Sequence, residues 1–450
     1  MRWRRLLVVC GIVGASCARD DAVGDPSTVS TAGVSSSSSS TTSDTSTSSS
    51  SGMVDAGWEL PEGCGDGVPV PGQFCFKPVP LPNLEKINGV YGLPLDDSGR
   101  DWLLVNDDST PASTVMPLVF DGDRFDTWPL TPGSTPSTGH VQHFDFDGDG
   151  RPDIVSRSGG GGIVTVRVYS NLGTGRLAEP VTHKLGPFAS IGTDASAGGT
   201  PVVIDVDGDG QHEILAGDDD NELRAGSRLY RLEGDEWIPV GPHIDLPGCN
   251  MKGASVVGDF DEDGYPDAIV DTGGTYCDPE MYTYDPEWHR FAIFRSNPET
   301  GLLDLSHTMP AGSVVGNFPI AVGDIDGDGH LDAVFEGFEG PIFLRGQGDG
   351  TFDARVLRPA NVDVQGWIGS LGRLGDYDGD GTLEFPIWAE WEELVFVRDI
   401  VGNPTTHSAS PPFYGGRGSF LGDANGDGIS DLVTADPNRK DQRILLVSIP

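Results

Sequence analysis

The sequence predicts an all-β chain whose body is a seven-bladed β-propeller of four-stranded antiparallel blades. Three observations predict it. A nine-residue acidic pattern recurs six times at near-regular spacing, and each copy is bracketed by short apolar runs. The chain also ends three strands into its last unit, while a spare strand-like segment stands ahead of the first. Repetition at 47–65 residues signals a repeat architecture before it signals any single-domain fold.

From the N-terminus, Arg2, Arg4 and Arg5 precede an apolar stretch at 6–15 that is too short to span a bilayer. This is the form of an export signal. Gly14-Ala15-Ser16-Cys17 resembles the cleavage box of bacterial lipoproteins, with Gly14 where that family has an aliphatic residue. The resemblance implies a signal over 1–17 and lipidation at Cys17, or simple secretion if Cys17 is not lipidated. Residues 18–57, dominated by the Ser/Thr run at 35–51, hold too few apolar groups to offset their ordering entropy and read as a disordered tether. No other apolar run is long enough for a transmembrane helix, so membrane attachment is expected only through the N-terminal lipid.

Residues 58–80 read as a Cys-rich segment ending in a strand, and 81–450 as the propeller. The pattern Asp-x-Asp/Asn-x-Asp-Gly-x-x-Asp/Glu begins at Asp145, Asp205, Asp259, Asp324, Asp376 and Asp423. An apolar run precedes each copy (PVVI at 201–204) and another follows (DAVF at 332–335). A third run, a Gly-rich turn and a fourth extended segment complete a four-strand unit. A worn copy at 97–101 keeps Asp101 at the last position but carries Leu93 and Leu95 at the first two. The last unit stops after a third strand at 443–447, and GQFCFKPV at 72–79 matches the fourth segments of other units. Pairing that segment onto the last blade closes the ring and removes an exposed edge.

Carboxylates at positions 1, 3 and 5 of a loop with Gly at 6 curl around one centre, and a carboxylate at 9 with the carbonyl at 7 completes an oxygen cage suited to Ca²⁺. The expected ligands are Asp145, Asp147, Asp149 and Asp153; Asp205, Asp207, Asp209 and Glu213; and Asp259, Asp261, Asp263 and Asp267. Those of the later loops are Asp324, Asp326, Asp328 and Asp332; Asp376, Asp378, Asp380 and Glu384; and Asp423, Asn425, Asp427 and Asp431. The EF-hand shares the opening of the motif but needs Glu at position 12. That position holds Ser156, Ala216, Val270, Phe335, Ile387 and Thr434, so the EF-hand is excluded six times. About six calcium ions would offset twelve of the net 41 negative charges, which otherwise oppose compaction.

The unit VGDIDGDGHLDAV at 322–334 resembles the FG-GAP/VCBS repeat of integrin α-subunit propellers and many bacterial surface proteins. The resemblance covers residues 72–450 and implies a propeller with structural calcium loops; it says little about what is bound. The segment CGDGVPVPGQFC at 64–75 resembles a Cys-rich module of secreted bacterial proteins.

With Cys10 in the signal and Cys17 at the lipid site, four cysteines remain for an oxidising compartment. We pair Cys64 with Cys75 and Cys249 with Cys277; the second pair falls in two loops on the face opposite the metal loops. The loop at about 271–290 is the longest insertion and holds Tyr276, Tyr282, Tyr284, Trp288 and His289, a set suited to stacking on a sugar or anchoring a protein.

The acidic balance, 69 Asp+Glu against 28 Lys+Arg, excludes nucleic acid as a partner. No His pair stands at metal-ligand spacing and no Gly-x-Ser-x-Gly nucleophile motif occurs, which disfavours an enzyme. The sequence therefore favours an exported bacterial outer-membrane or cell-surface module for a glycan or protein ligand. A structural envelope protein is the alternative, and a polysaccharide-degrading propeller a weaker one.

Overall fold

The computed structural model describes most of residues 62–449. Outside the described residues lie 1–61, the connections 82–86, 108–113, 121–124, 128–140, 186–201, 247–254, 273–289, 358–373 and 411–418, and breaks at 66, 148, 161–162, 221–223, 235, 313–314, 338–339, 390–392, 421, 437–438 and 450. The expected signal, Cys17, the tether, Cys249, Cys277 and the set Tyr276, Tyr282, Tyr284, Trp288 and His289 fall among these, outside the described residues.

The first strand, β1 (Phe74–Pro80), precedes five antiparallel four-stranded meanders. They are β2 (Ile87–Leu93), β3 (Trp102–Asp107), β4 (Thr114–Phe120) and β5 (Phe125–Thr127); then β6 (Val141–Phe144), β7 (Asp153–Gly160), β8 (Ile163–Tyr169) and β9 (Val181–Leu185). The third comprises β10 (Val202–Ile204), β11 (Glu213–Asp220), β12 (Arg224–Glu233) and β13 (Glu236–Asp245). The fourth comprises β14 (Ser255–Gly258), β15 (Asp267–Asp271), β16 (Arg290–Asn297) and β17 (Leu302–Pro310). The fifth comprises β18 (Val315–Gly323), β19 (Asp332–Gly337), β20 (Ile342–Gly346) and β21 (Phe352–Val356). Next come β22 (Phe385–Ala389), β23 (Glu393–Arg398) and β24 (Thr405–Ser410), and finally β25 (Ser419–Phe420), β26 (Leu432–Asp436) and β27 (Arg439–Ser448).

β1 lies antiparallel along β27, with Phe76 opposite Ser448 and Pro80 opposite Ile444, so the first strand completes the last sheet. Six four-stranded blades are thus present among the described residues, where seven were expected. The group β22–β24 has three strands, and residues 358–373, ahead of it, lie outside the described residues.

Each sheet is apolar on both faces because each is sandwiched between neighbours. All five residues of β15 are buried. Val256, Ile269, Phe291 and Ile293 face the next blade, packing with Val322, Ala333 and Phe335. Ala268, Val270, Ala292 and Phe294 face the previous one, packing with Ile204, Leu215 and Leu229. This is why the strand runs are continuously apolar instead of alternating. Each fully buried Phe or Ile contributes roughly 1.5–3 kcal/mol. One such layer joins the two ends of the ring: Val79, Val433, Leu445 and Val447 pack against Leu103, Leu118 and Phe120. No helix among the described residues is long and apolar enough to cross a membrane.

Candidate metal centres

Five of the acidic loops connect the first and second strands of their units, the fifth leads into β22, and all six share one hydrogen-bond scheme. The Gly amide at position 6 donates to Oδ2 of the Asp at position 1 in every loop, at 2.7–3.1 Å. That Gly has φ between 83° and 96°, a conformation an L side chain resists, which explains its recurrence. The amide at position 7 donates to Oδ1 of position 5, at 2.7–3.0 Å, in all six. These bonds draw the carboxylates inward around a common centre.

Position 9 is the anchor. Asp153, Glu213, Asp267, Asp332, Glu384 and Asp431 are buried to 1% exposure or less. One oxygen of each accepts the amide of position 2, at 2.8–3.2 Å. In the four loops with Asp here, the other oxygen accepts an amide at the end of the third strand: Asn171, Ser296, Gly346 or Ser448. The longer Glu213 reaches Arg231 Nε instead, at 2.6 Å. Glu384 Oε1 lies 3.2 Å from Arg398 Nε, but the two are not aligned as a hydrogen bond. The sequence assigned position 9 to the ion alone; the structure also makes it the pin between loop and sheet.

Burial raises these anchors despite their amide donors. Asp332 is pushed to about 6, Asp267 to about 7, and Glu384 and Asp431 to about 8. Such groups need a proton or a cation to remain buried comfortably.

Several expected ligands converge. Asp145, Asp147 and Asp153 each place an oxygen within 4.8 Å of the others, as do Asp324, Asp326 and Asp332, and Asp376, Asp378 and Glu384. In the loops starting at Asp205 and Asp259 the triads are instead Asp205, Asp207, Asp209 and Asp259, Asp261, Asp263. Asp149, Glu213, Asp267, Asp328 and Asp380 stand outside their loops' triads. The sixth loop, Asp423, Asn425, Asp427 and Asp431, forms no carboxylate triad among the described residues.

The donor sets fit a hard divalent cation on an independent observation. Oδ1 of Asp205, Asp259 and Asp324 is buried with no hydrogen-bond donor, as is Oδ1 of Asp207. In the three first-position residues, Oδ2 is already taken by the Gly amide. A buried anionic oxygen without a partner is costly, and a cation at the loop centre would supply one. The worn loop shows the converse: Leu93 and Leu95, at its first two ligand positions, are core residues packed with Trp102 and Tyr169.

The loops differ in cover. Cys64 and Cys75 form a disulfide with a Cα–Cα separation of 5.6 Å, and the segment they close sits on the fifth loop. Gly72 donates its amide to Asp378 Oδ2 at 2.6 Å, and Pro69 rests against Gly379. Asp378 is consequently only 4% exposed. No pattern in the sequence points to four arginines, Arg231, Arg295, Arg345 and Arg398, that reach into the loops from the strand paired with the one each loop leads into.

The FG-GAP-like repeat family matches residues 145–216 and 205–270. No curated protein matches the chain. Among solved structures, an Agrocybe aegerita lectin that recognises non-reducing terminal N-acetylglucosamine is similar at 18% identity and a TM-score of 0.50, over 73% of this chain and 81% of the lectin. BBS1N, solved in complex with ARL6DN, is similar at 13% identity and a TM-score of 0.45, over 83% of this chain and 97% of that one. The matched repeats fall on successive acidic loops and their flanking strands, and the fold around them is a ring of small antiparallel sheets: the chain carries FG-GAP-like repeats within a β-propeller.

Proposed function

We propose that the chain is an exported, calcium-braced propeller that acts as a binding module for a glycan or protein ligand at the cell surface. Residues 1–17 are its export signal, with Cys17 as the lipid-bearing residue; 18–57 tether the domain away from the membrane, 58–80 close the ring, and 81–450 form the propeller. The observation that carries the calcium assignment is the set of buried, donor-less Oδ1 atoms on Asp205, Asp259 and Asp324. Ca²⁺ suits a site of clustered carboxylates and carbonyls better than Mg²⁺, which demands a stricter octahedron.

The binding role rests on the chain's own character: export features, a propeller body and no catalytic motif. The lectin's sugar specificity belongs to the lectin, and the two share a fold. The ligand face we favour is the 271–290 insertion with Tyr276, Tyr282, Tyr284, Trp288 and His289, held by a Cys249–Cys277 bond. The test is a glycan array probed with calcium and with chelator. A hit that disappears on replacing Tyr282, Tyr284 and Trp288 by Ala, with melting behaviour unchanged, supports the reading. Binding that survives the triple change moves the ligand face elsewhere.

A further inference from the structure

We infer that Arg231, Arg295, Arg345 and Arg398 are positioning residues built into four of the six metal loops: each holds the outer oxygen of the third-position carboxylate, so that the loop keeps its ion-binding shape when the ion is absent. The inference rests on the calcium reading above.

The four share one register position. Arg231 is paired directly with Glu213. Ala268 pairs with Phe294, Ala333 with Leu344 and Phe385 with Val397, so one step further Asp267, Asp332 and Glu384 face Arg295, Arg345 and Arg398. Each arginine therefore starts opposite the position-9 anchor and reaches over the loop. Each then meets the same atom. Arg231 Nη2 is 3.1 Å from Asp207 Oδ2, Arg295 Nη1 is 3.4 Å from Asp261 Oδ2, Arg345 Nε is 2.5 Å from Asp326 Oδ2, and Arg398 Nη1 is 3.3 Å from Asp378 Oδ2. Three of the guanidiniums grip a second acid: Arg231 takes Glu213, Arg345 takes Asp328 at 2.8 Å, and Arg398 takes Asp380 and lies beside Glu384. A planar fork spans two carboxylates in this way, where the ammonium of lysine is a single point charge. Holding Oδ2 leaves Oδ1 for the loop centre; Oδ1 of Asp207 is buried without a donor.

The two remaining loops support the assignment by contrast. Ile154 pairs with Tyr169 and Leu432 with Leu446, which puts Ser170 and Val447 opposite Asp153 and Asp431. Where the arginine is replaced by Val447, the third-position acid is also gone: Asn425 stands there, and its own Nδ2 donates to Asp427 Oδ2 at 2.9 Å. In the first loop, Arg151 at position 7 takes Asp149 Oδ2 at 2.8 Å. The third-position charge and the strand arginine thus occur together in four loops and are both absent from the sixth, while the first keeps Asp147 with Ser170 at the arginine position.

The consequence is asymmetric between ion-bound and ion-free states. With calcium present, the carboxylates are already neutralised; without it, the arginine is the remaining counter-charge against four acids. Arg345 is the place to test this, because its side chain is 46% exposed and its removal opens no cavity. The full chain carrying Arg345→Met would be compared with Arg345→Lys and the unaltered protein in bound-calcium count by equilibrium dialysis, calcium titration against a competing chelator, and melting in calcium and in EGTA. We expect an unchanged ion count and a nearly unchanged melting temperature in calcium. In EGTA the melting temperature should fall by several degrees, and one site should bind calcium about fivefold more tightly, because a positive charge beside the cation has gone. Arg345→Lys should recover only part of the EGTA stability. Equal loss in calcium and EGTA, loss of an ion, or no change in either condition overturns the inference while leaving the calcium reading intact. An unaltered protein that binds no calcium overturns the calcium reading itself.

Discussion

The loops starting at Asp145 and Asp376 carry the same motif in different surroundings. In the first, Asp147 and Asp149 are exposed, and the arginine on Asp149 comes from the loop itself. In the fifth, Asp378 and Glu384 are buried, Arg398 reaches three of the four acids, and the 64–75 segment covers the turn. The motif sets the turn and the direction of the carboxylates. What lies over the loop then sets how much each carboxylate depends on its neighbours. An exposed loop can relax into water when its charges are unbalanced, whereas a covered one cannot.

The largest expected effect exploits that difference. Glu384→Ala leaves the buried Tyr377 amide without its acceptor and opens a cavity beneath the loop, at a combined cost of about 3–5 kcal/mol. Asp147→Ala, at the exposed end of the comparison, should cost under about 1 kcal/mol in chelator. Denaturant unfolding of both variants in EGTA measures the gap, and equal losses would break the comparison.

Opening the cover should sharpen it. Cys64→Ser with Cys75→Ser releases an 11-residue separation, and a loop of that size corresponds to about 2–3 kcal/mol. Hydrogen exchange should then accelerate at the Gly381 and Thr382 amides and stay unchanged at Gly150 and Arg151. Uniform acceleration would mean that the segment stabilises the ring without acting on the fifth loop.

A third test uses pH. In the ion-free protein Asp267, Asp332, Glu384 and Asp431 hold protons up to about 7, 6, 8 and 8, whereas an unfolded chain releases them near 4. Between those limits the folded state binds more protons, so stability falls as pH rises from about 5 to 8. Melting in EGTA should show that decline, and calcium should flatten it. A melting temperature that rises with pH in EGTA contradicts the burial argument.

The smallest effect concerns the third loop, where Glu262 occupies the fourth position at φ 61° and the other described loops have Gly. Its carboxylate meets His330 of the next loop at 2.5 Å, on the surface, where ion pairs contribute little. Glu262→Gly should therefore raise the melting temperature slightly, by relieving left-handed strain. A clear fall would show that the link to His330 outweighs the strain.

The sequence made the blades and loops legible because each repeat states its own turn and its own apolar runs. The pairing of β1 with β27 was legible for the same reason, since Phe74–Pro80 is a fourth strand lacking its other three. The arginine braces were not. Arg231, Arg295, Arg345 and Arg398 follow their anchors by 18, 28, 13 and 14 residues, because the intervening hairpins differ in length. Only the strand register shows that all four occupy one place. The contact of Gly72 with Asp378 spans 306 residues and depends on ring closure, which no local pattern encodes. Six blades are complete among the described residues where seven were expected, and residues 358–373, ahead of β22, lie outside them.

The central claim is that clustered carboxylates are held in place by calcium. Bound calcium measured by elemental analysis, together with melting before and after chelation, tests it most directly. The account predicts about six ions per chain and a large fall in melting temperature when they are removed. A chain that binds no calcium, or one that melts unchanged after verified loss of its ions, contradicts it.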